Sequence, residues 1–207
     1  MHKMWTNAAG PYGLGNTIRP LRTPDDFKDW KFRVSGAVGF VSAMQNMGEG
    51  TGMTFETLPS ADIYNALQTG VIDGCWSPWS LLIEYRYMEV MPYFTVLDFG
   101  WDVNDVVINK PLWDGLPQDL KDAIFKAAMV AEERDYEAHR RAQDDFARMA
   151  AEAGVEIYYP TPEEKALFRE KANMPAVWEE LVTPWLDEHF PNQNMTQKIL
   201  NAIEQAR

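Results

Sequence analysis

The sequence feature that most constrains the fold is an alternation of strand and helix patterns early in the chain. Short apolar runs and helically spaced runs follow one another in the order strand, helix, strand, helix, strand, over residues 31–34, 38–48, 53–58, 60–70 and 71–76. A helix between two strands returns the chain to the same end of a sheet, which produces right-handed βαβ units. The sequence therefore predicts an α/β fold with a mostly parallel sheet.

The second constraint is a helical pattern that begins at Pro117 and does not stop before Gly154. At a rise of ~1.5 Å per residue, such a helix is on the order of 55 Å long. Each end carries an apolar stripe, whereas the middle, residues 132–145, is strongly charged. This pattern favours a spine that joins two lobes. A coiled-coil arm is the alternative, although no heptad repeat is sustained.

The remaining elements are predicted from shorter patterns. Residues 1–22 are rich in Gly, Pro and Asn, which is typical of loops and turns with short extended pieces. Residues 93–110 predict one long strand or two joined strands. The other predictions are helices at 78–87, 161–181 and 195–205, a helix that Ser60 caps, and a strand at 155–159.

Charge excludes two classes of partner. The 207 residues include 31 acidic and 19 basic side chains, which gives a net charge of −12. Nucleic acids and anionic membranes attract clustered Lys and Arg, so neither is expected as a partner. No apolar run approaches the length of a membrane span. Residues 1–6 lack the layout of a secretory signal, so we expect that an exported form has lost its signal or that the chain is not complete.

The residues that usually carry catalysis or bind metals are scattered. His2, His139 and His189 lie far apart in the sequence and far from Cys75, so no spacing is typical of a zinc site. A glycine-rich run at residues 10–15 lacks the Lys-Ser/Thr of a phosphate-binding loop. The sequence therefore predicts no catalytic residue, no metal and no cofactor, and favours binding over catalysis.

A set of motifs is more specific. They are Arg19-Pro20 with residues 23–28, Lys-Phe-Arg-Val at 31–34, the run from Tyr64 to Gly74 that contains Ala-Leu-Gln-Thr-Gly-Val-Ile-Asp-Gly, residues 87–95, and Leu-Pro-Gln-Asp-Leu at 116–120. Their order and spacing, from residue 10 to about 190, resemble the substrate-binding proteins of tripartite ATP-independent periplasmic (TRAP) transporters, the DctP-type family.

The resemblance implies a two-lobed fold like that of periplasmic binding proteins, of which only the C-terminal two-thirds are expected here. It assigns residues 1–98 to the first part of the second lobe. Residues 99–138 would form the return strand of the first lobe and the start of the long helix. Residues 139–207 would complete that helix and add the return to the second lobe and the C-terminal helices. We expect a fragment, self-association, or a second chain that supplies the remaining lobe.

The resemblance also implies a function. A periplasmic solute receptor would bind a small organic carboxylate reversibly and deliver it to the membrane permease subunits of the transporter, without acting as an enzyme. The alternative is a ligand-sensing or protein-interaction module that uses the same lobe.

Arg33 is the binding residue that the resemblance identifies most directly. In the family, the arginine of the Lys-x-Arg-Val strand pairs with the substrate carboxylate. A planar guanidinium matches a carboxylate with two parallel charge-assisted hydrogen bonds, which lysine cannot reproduce. The alternative for Arg33 is an ion pair on the surface of a strand.

The other expected binding positions are Ala37, Trp76, Ser77, Phe99 and Trp101. Ala37 matches a backbone contact, Ser77 stands where many members carry asparagine, and Phe99 occupies another polar family position. Aromatic groups thus replace polar ones, which predicts a monocarboxylate with an apolar or aromatic body. The alternative is that these rings pack between helices.

Two further positions depart from the family pattern. Gly13 stands where members that bind sugar acids carry a second arginine, which argues against a ligand of the sialic acid type. Asp29 stands where the family often has glycine.

Overall fold

The computed structural model describes residues 1–98 and 100–205. The chain divides into two compact units. The first unit comprises Met1–Pro20 and Trp76–Tyr159, and the second comprises Leu21–Cys75 and the chain from Pro160 onward. The chain therefore changes units at residues 20/21, 75/76 and 159/160. The assignment of residues 1–98, 99–138 and 139–207 to lobe segments stays a prediction.

Strands and α-helices alternate one for one between residues 31 and 95. The strands are β1 (His2–Asn16), β2 (Lys31–Val34), β3 (Thr54–Thr57), β4 (Gly74–Pro78), β5 (Tyr93–Thr95), β6 (Trp101–Ile108) and β7 (Glu156–Tyr158). The helices are α1 (Val38–Gly48), α2 (Ile63–Gln68), α3 (Trp79–Glu84), α4 (Lys110–Gly115), α5 (Gln118–Glu152), α6 (Pro162–Ala172), α7 (Met174–Leu181), α8 (Thr183–His189) and α9 (Met195–Gln205). The α/β fold predicted from the sequence is confirmed.

The second unit contains the parallel βαβ units that the strand and helix alternation predicts. Strand β2 pairs in parallel with both β3 and β4. Four aromatic rings form the centre of its core: the Phe27 ring meets Trp30, Phe32 and Phe168 at centroid distances of 5.9, 5.6 and 6.1 Å. Phe168 lies on α6, so the later part of the chain closes the core that the earlier part begins.

The first unit has a mixed sheet. Strand β1 runs antiparallel to β5 and to β6, and β5 runs parallel to β7. The prediction of loops for residues 1–22 is wrong for most of that segment, because β1 is a 15-residue strand. Its glycines have other roles than turns: Gly10, with φ +107°, follows a shift in register opposite β6, and Gly13 and Gly15 pack closely against β5 and its approach.

The predicted long helix is confirmed. Helix α5 has 35 residues, begins after Pro117 and ends just before Gly154, which has φ +83°. It lies within the first unit and packs against β1, α3 and β7. No helix among the described residues is long and apolar enough to cross a membrane.

Three predicted elements differ in detail. Residues 93–110 form two strands separated by irregular chain. Ser60 does not cap a helix but begins a short 3-10 turn ahead of α2. The helix predicted at 161–181 is two helices, because Asn173 takes a left-handed conformation with φ 47° and Pro175 opens the next helix. The terminal helix, Met195–Gln205, agrees with the prediction.

Candidate functional site

Arg33 lies on β2, the strand that pairs with β3 on one side and β4 on the other. Only 8% of the residue is exposed, so its charge is largely removed from water. Among the described residues, no carboxylate lies within salt-bridge distance of its guanidinium. This arrangement disfavours a surface ion pair, because the side chain is buried and its charge is not balanced by an acidic side chain.

One carbonyl group orients the Arg33 side chain. Nε and Nη2 both donate to the Leu58 carbonyl oxygen, at 2.9 and 2.8 Å. Leu58 directly follows β3, so the loop after that strand fixes one edge of the guanidinium. The opposite edge keeps the two N–H groups of Nη1 and the second N–H of Nη2. Two of these donors point in parallel, which is the geometry that a carboxylate can bridge.

Cys75 lies opposite Arg33 in the register of β4 against β2. Burial raises the pKa of its thiol from 9.0 to about 12, and the positive charge of Arg33 acts in the opposite direction without reversing the shift. The thiol is therefore neutral at physiological pH and cannot balance the guanidinium. It is a small buried side chain rather than a nucleophile.

Ala37 is the N-cap residue of α1 and lies four positions beyond Arg33. It is exposed, no side chain caps this end of the helix, and the first turn contains no acidic residue. The N–H groups of a first helical turn carry partial positive charge, which favours an anion. In parallel sheets, ligands bind beyond the carboxyl ends of the strands, and α1 begins beyond that end of β2.

Trp76 and Ser77 lie on the part of β4 that belongs to the first unit, whereas Arg33 and Ala37 belong to the second. The Trp76 ring packs 5.6 Å from that of Tyr12, and Trp76 is 5% exposed. Ser77 is buried, and its hydroxyl donates to the Pro78 carbonyl at 3.1 Å. Packing of the tryptophan inside its own unit is thus consistent with the alternative that the rings fill a core.

Phe99 lies outside the described residues. Trp101 begins β6, but its side chain is outside the described part of the chain.

The packing around Gly13 explains why this position carries no larger side chain. A Cβ atom there would lie 2.4 Å from two ring carbons of Phe94 and 2.7 Å from the Thr95 carbonyl oxygen. Real Cβ atoms do not approach so closely, so no larger side chain fits without displacing β5. A second arginine at this position is therefore incompatible with the packing of the first unit.

Sequence reasoning missed the Leu58 carbonyl, because a backbone acceptor leaves no signature in residue type. It noted the unusual Asp29 without a reason. The structure supplies one: Asp29 has φ 62°, a left-handed conformation that glycine adopts at no steric cost. Among the described residues, no group of three or more His, Cys, Asp or Glu side chains is placed to hold a metal ion.

Comparison with known proteins places these features in a family. The family model for DctP, bacterial extracellular solute-binding protein family 7, matches residues 5–183. The C4-dicarboxylate-binding periplasmic protein DctP of Rhodobacter capsulatus is 33% identical over 187 residues, which is 89% of this chain and 50% of that protein. The chain spans about half the length of the curated relatives it matches.

Two solved structures of TRAP periplasmic solute binding proteins share the fold. The protein from Chromohalobacter salexigens, with bound D-glucuronate, superposes with a TM-score of 0.82 at 21% identity. The match covers 99% of this chain and 63% of the Chromohalobacter salexigens chain. The protein from Sulfitobacter sp. NAS-14.1, with bound β-D-galacturonate, has a TM-score of 0.80 at 20% identity. The match covers 96% of this chain and 61% of the Sulfitobacter chain. The predicted resemblance is confirmed, and the chain belongs to the DctP family of bacterial extracellular solute-binding proteins.

Proposed function

We propose that this chain binds a small organic carboxylate reversibly in the periplasm, as part of a TRAP solute receptor that delivers the ligand to membrane permease subunits. The observation that carries the proposal is Arg33, a residue that is only 8% exposed. Its guanidinium is held by the Leu58 carbonyl and has no acidic partner among the described residues.

A buried cation is unfavourable unless a hydrogen-bonded anion compensates it. The Leu58 carbonyl satisfies one edge of the guanidinium but carries no net charge. A ligand carboxylate on the opposite edge would supply both the missing charge and two acceptors. Each charge-assisted hydrogen bond contributes about 1.5–3 kcal/mol, so the pair can provide most of the affinity of a small ligand.

Relatives support the ligand class. The Rhodobacter capsulatus relative is named for binding C4-dicarboxylates, and the two compared structures contain uronates. All three ligands carry a carboxylate, whereas the remainder of each molecule differs. A carboxylate-binding anchor with different surroundings in each protein would explain this pattern, and Arg33 is the anchor that this chain offers.

For the body of the ligand we propose an apolar or aromatic group and a single carboxylate. The close packing at Gly13 excludes a second arginine, and the net charge of −12 disfavours an additional negative charge on the ligand. Benzoate and 2-oxobutyrate should therefore bind more tightly than succinate or glucuronate. Tighter binding of the last two would contradict this part of the proposal.

The test is titration calorimetry of these four acids against the wild-type chain and two variants. Arg33→Lys removes the planar donor pair, so we expect affinity for the best acid to fall by about 2–4 kcal/mol, or ~30- to 1,000-fold. Arg148→Lys is the matched control, because Arg148 is exposed on α5 and pairs with Asp145 and Glu152. Its affinity should equal that of the wild type. Equal binding by Arg33→Lys would refute Arg33 as the anchor.

A further inference from the structure

Helix α5 places two polar side chains where it packs against β1. Asp135 and His139 are four positions apart, so both lie on the same face of the helix. Between residues 132 and 141 they are the only two positions that are not exposed. The face of a helix that packs against its own unit ordinarily carries apolar residues. A carboxylate and an imidazole at this contact therefore indicate a role other than packing.

Asn7 on β1 contacts both side chains. Its Nδ2 donates to Asp135 Oδ1 at 2.6 Å and lies 3.4 Å from His139 Nε2. His139 Nε2 lies 3.2 Å from the same Asp135 oxygen. The side chains of His139 and Asp135 are 25% and 24% exposed, so a small ion from solvent can reach them. We call Asn7, Asp135 and His139 the Asn7 cluster.

No permanent cation balances the carboxylate of this cluster. Among the described ion pairs, Asp135 is paired only with His139, and a histidine is charged only when it is protonated. No lysine or arginine of the described chain lies within salt-bridge distance of Asp135. The net charge of −12 also favours the approach of a cation. A divalent cation at the cluster would supply the missing positive charge.

The spacing of the three side chains suits a tetrahedral metal ion. Imidazole nitrogen and carboxylate oxygen bind zinc at ~2.0–2.2 Å, which places the ligand atoms of a tetrahedral site about 3.4 Å apart. The two distances from His139 Nε2, 3.2 and 3.4 Å, already have this spacing. Asn7 must turn its amide over so that Oδ1 replaces Nδ2, which is a rotation about one terminal bond. The 2.6 Å contact with Asp135 then lengthens, because two oxygen atoms replace a donor and an acceptor.

From these observations we infer that the Asn7 cluster binds a divalent transition-metal ion of the zinc class, which ties α5 to β1 while water completes the coordination. The imidazole ligand favours zinc over calcium and magnesium, which take oxygen ligands. The site lies wholly in the first unit, whereas Arg33 belongs to the second. The sequence predicts no metal, because Asn7 stands 128 positions before Asp135 and no spacing reveals their contact.

A zinc titration of the wild-type chain tests the site directly. Calorimetry measures the affinity and the number of ions bound, and NMR of the imidazole nitrogens identifies the ligand, since the chain has three histidines. We expect one zinc ion per chain and a shift of the His139 Nε2 resonance, whereas the resonances of His2 and His189 stay unchanged. Zinc should also raise Tm, because an ion that binds only the folded chain stabilises it.

Single substitutions remove one ligand at a time. Loss even of an outer-shell partner weakens metal binding about 10- to 100-fold, so Asp135→Asn and His139→Gln should each weaken zinc binding by at least about tenfold. His189→Gln is the matched control, because His189 lies on α8 in the second unit, with its Nδ1 2.9 Å from the Trp185 carbonyl oxygen. This control should change zinc affinity by less than about twofold.

Asn7→Asp separates a metal site from an ordinary hydrogen-bonded cluster. In the absence of zinc, a second carboxylate so close to Asp135 repels the first, and Tm should fall. In the presence of zinc, the new carboxylate is a stronger ligand than the amide oxygen, so the affinity should rise by about tenfold and zinc should restore Tm. In an ordinary hydrogen-bonded cluster, the same change would only destabilise the chain.

Four results would each overturn the inference. They are no zinc binding below about 1 mM, an affinity that Asp135→Asn and His139→Gln leave unchanged, zinc-induced shifts at His2 or His189 in place of His139, and no gain in affinity in Asn7→Asp. If Asn7→Asp does not fold, the other two cluster variants and the imidazole shifts of the wild-type chain still decide between the outcomes.

Discussion

Replacing Gly13 with alanine tests how tightly the first unit is packed around β1. The added Cβ would lie 2.4 Å from the Phe94 ring and 2.7 Å from the Thr95 carbonyl oxygen. Phe94 is fully buried, and Trp79 packs edge-on at 5.2 Å, so the ring has no free space to enter. Because Thr95 is itself part of β5, relieving the contact with its carbonyl oxygen requires the backbone of β5 to shift as well.

Overpacking of this kind usually costs about 1–3 kcal/mol. Two features place the cost of Gly13→Ala at the upper end of this range. The nearest atoms belong to a rigid ring, and the next nearest is a backbone carbonyl oxygen. We expect a loss of about 2–3 kcal/mol in the free energy of unfolding, which lowers Tm by roughly 5–10 °C for a protein of this size. Urea denaturation measures the change directly, provided that the m-value stays constant.

Two other glycines provide matched controls. At Gly15 the added Cβ would lie 2.2 Å from the Met91 side chain, whose flexible thioether can move, so Gly15→Ala should cost less than about 1.5 kcal/mol. At Gly39, on α1, nothing lies within 4 Å, and alanine should stabilise the helix by about 0.5–1 kcal/mol. If Gly13→Ala costs no more than Gly15→Ala, the close packing that excludes a second arginine is refuted.

Two further predictions concern single residues of the second unit. Burial raises the pKa of the Cys75 thiol to about 12, so only ~10⁻⁴ of it is thiolate at pH 8, and alkylation by iodoacetamide should proceed only through unfolding. The unfolded thiol ionises near pH 9.0 and the folded thiol only near 12, so the unfolded state binds fewer protons between these values. The free energy of unfolding should therefore fall by up to about 1.4 kcal/mol per pH unit between pH 9.0 and 12. Urea titrations of Cys75→Ala should lack this component. Asp29→Gly should raise Tm by about 1–2 °C, because it relieves a φ of 62°, whereas Asp62→Gly, at φ −92°, should lower it; a decrease for both in thermal unfolding would contradict the argument.

The sequence predicts the second unit better than the first, and the reason is physical. In β2 and α1, local propensity and hydrophobic spacing agree with the tertiary structure, so the elements are visible in a short window. In β1, glycine and proline predict turns, because their usual role is to bend the chain. Here Gly13 and Gly15 serve instead as positions where β5 and the Met91 side chain approach closely, and that requirement arises from residues about 80 positions away.

The candidate site shows the same limit. Arg33 can be identified from the strand motif that contains it, since the residue type itself carries the chemistry. The orientation of its side chain cannot be identified from the sequence, because the Leu58 carbonyl that orients the guanidinium is a backbone group, brought close by the pairing of β2 with β3. Burial is equally hidden, since a four-residue strand with a charged residue could face either solvent or core.

The manner in which Arg33 is held links stability to ligand choice. A buried guanidinium with one neutral acceptor makes the empty protein less stable, and any anion that reaches its free edge recovers part of that loss. A carboxylate at 100 times its Kd would stabilise the folded chain by about 2.7 kcal/mol. The corresponding primary amide has one acceptor and one donor, so it would place its own N–H against a guanidinium N–H and leave the charge uncompensated. The difference in binding free energy between an acid and its amide should therefore exceed the difference between acids that share the carboxylate but differ in the rest of the molecule. The first difference depends on a buried charge, whereas the second depends on apolar contacts of about 1–3 kcal/mol.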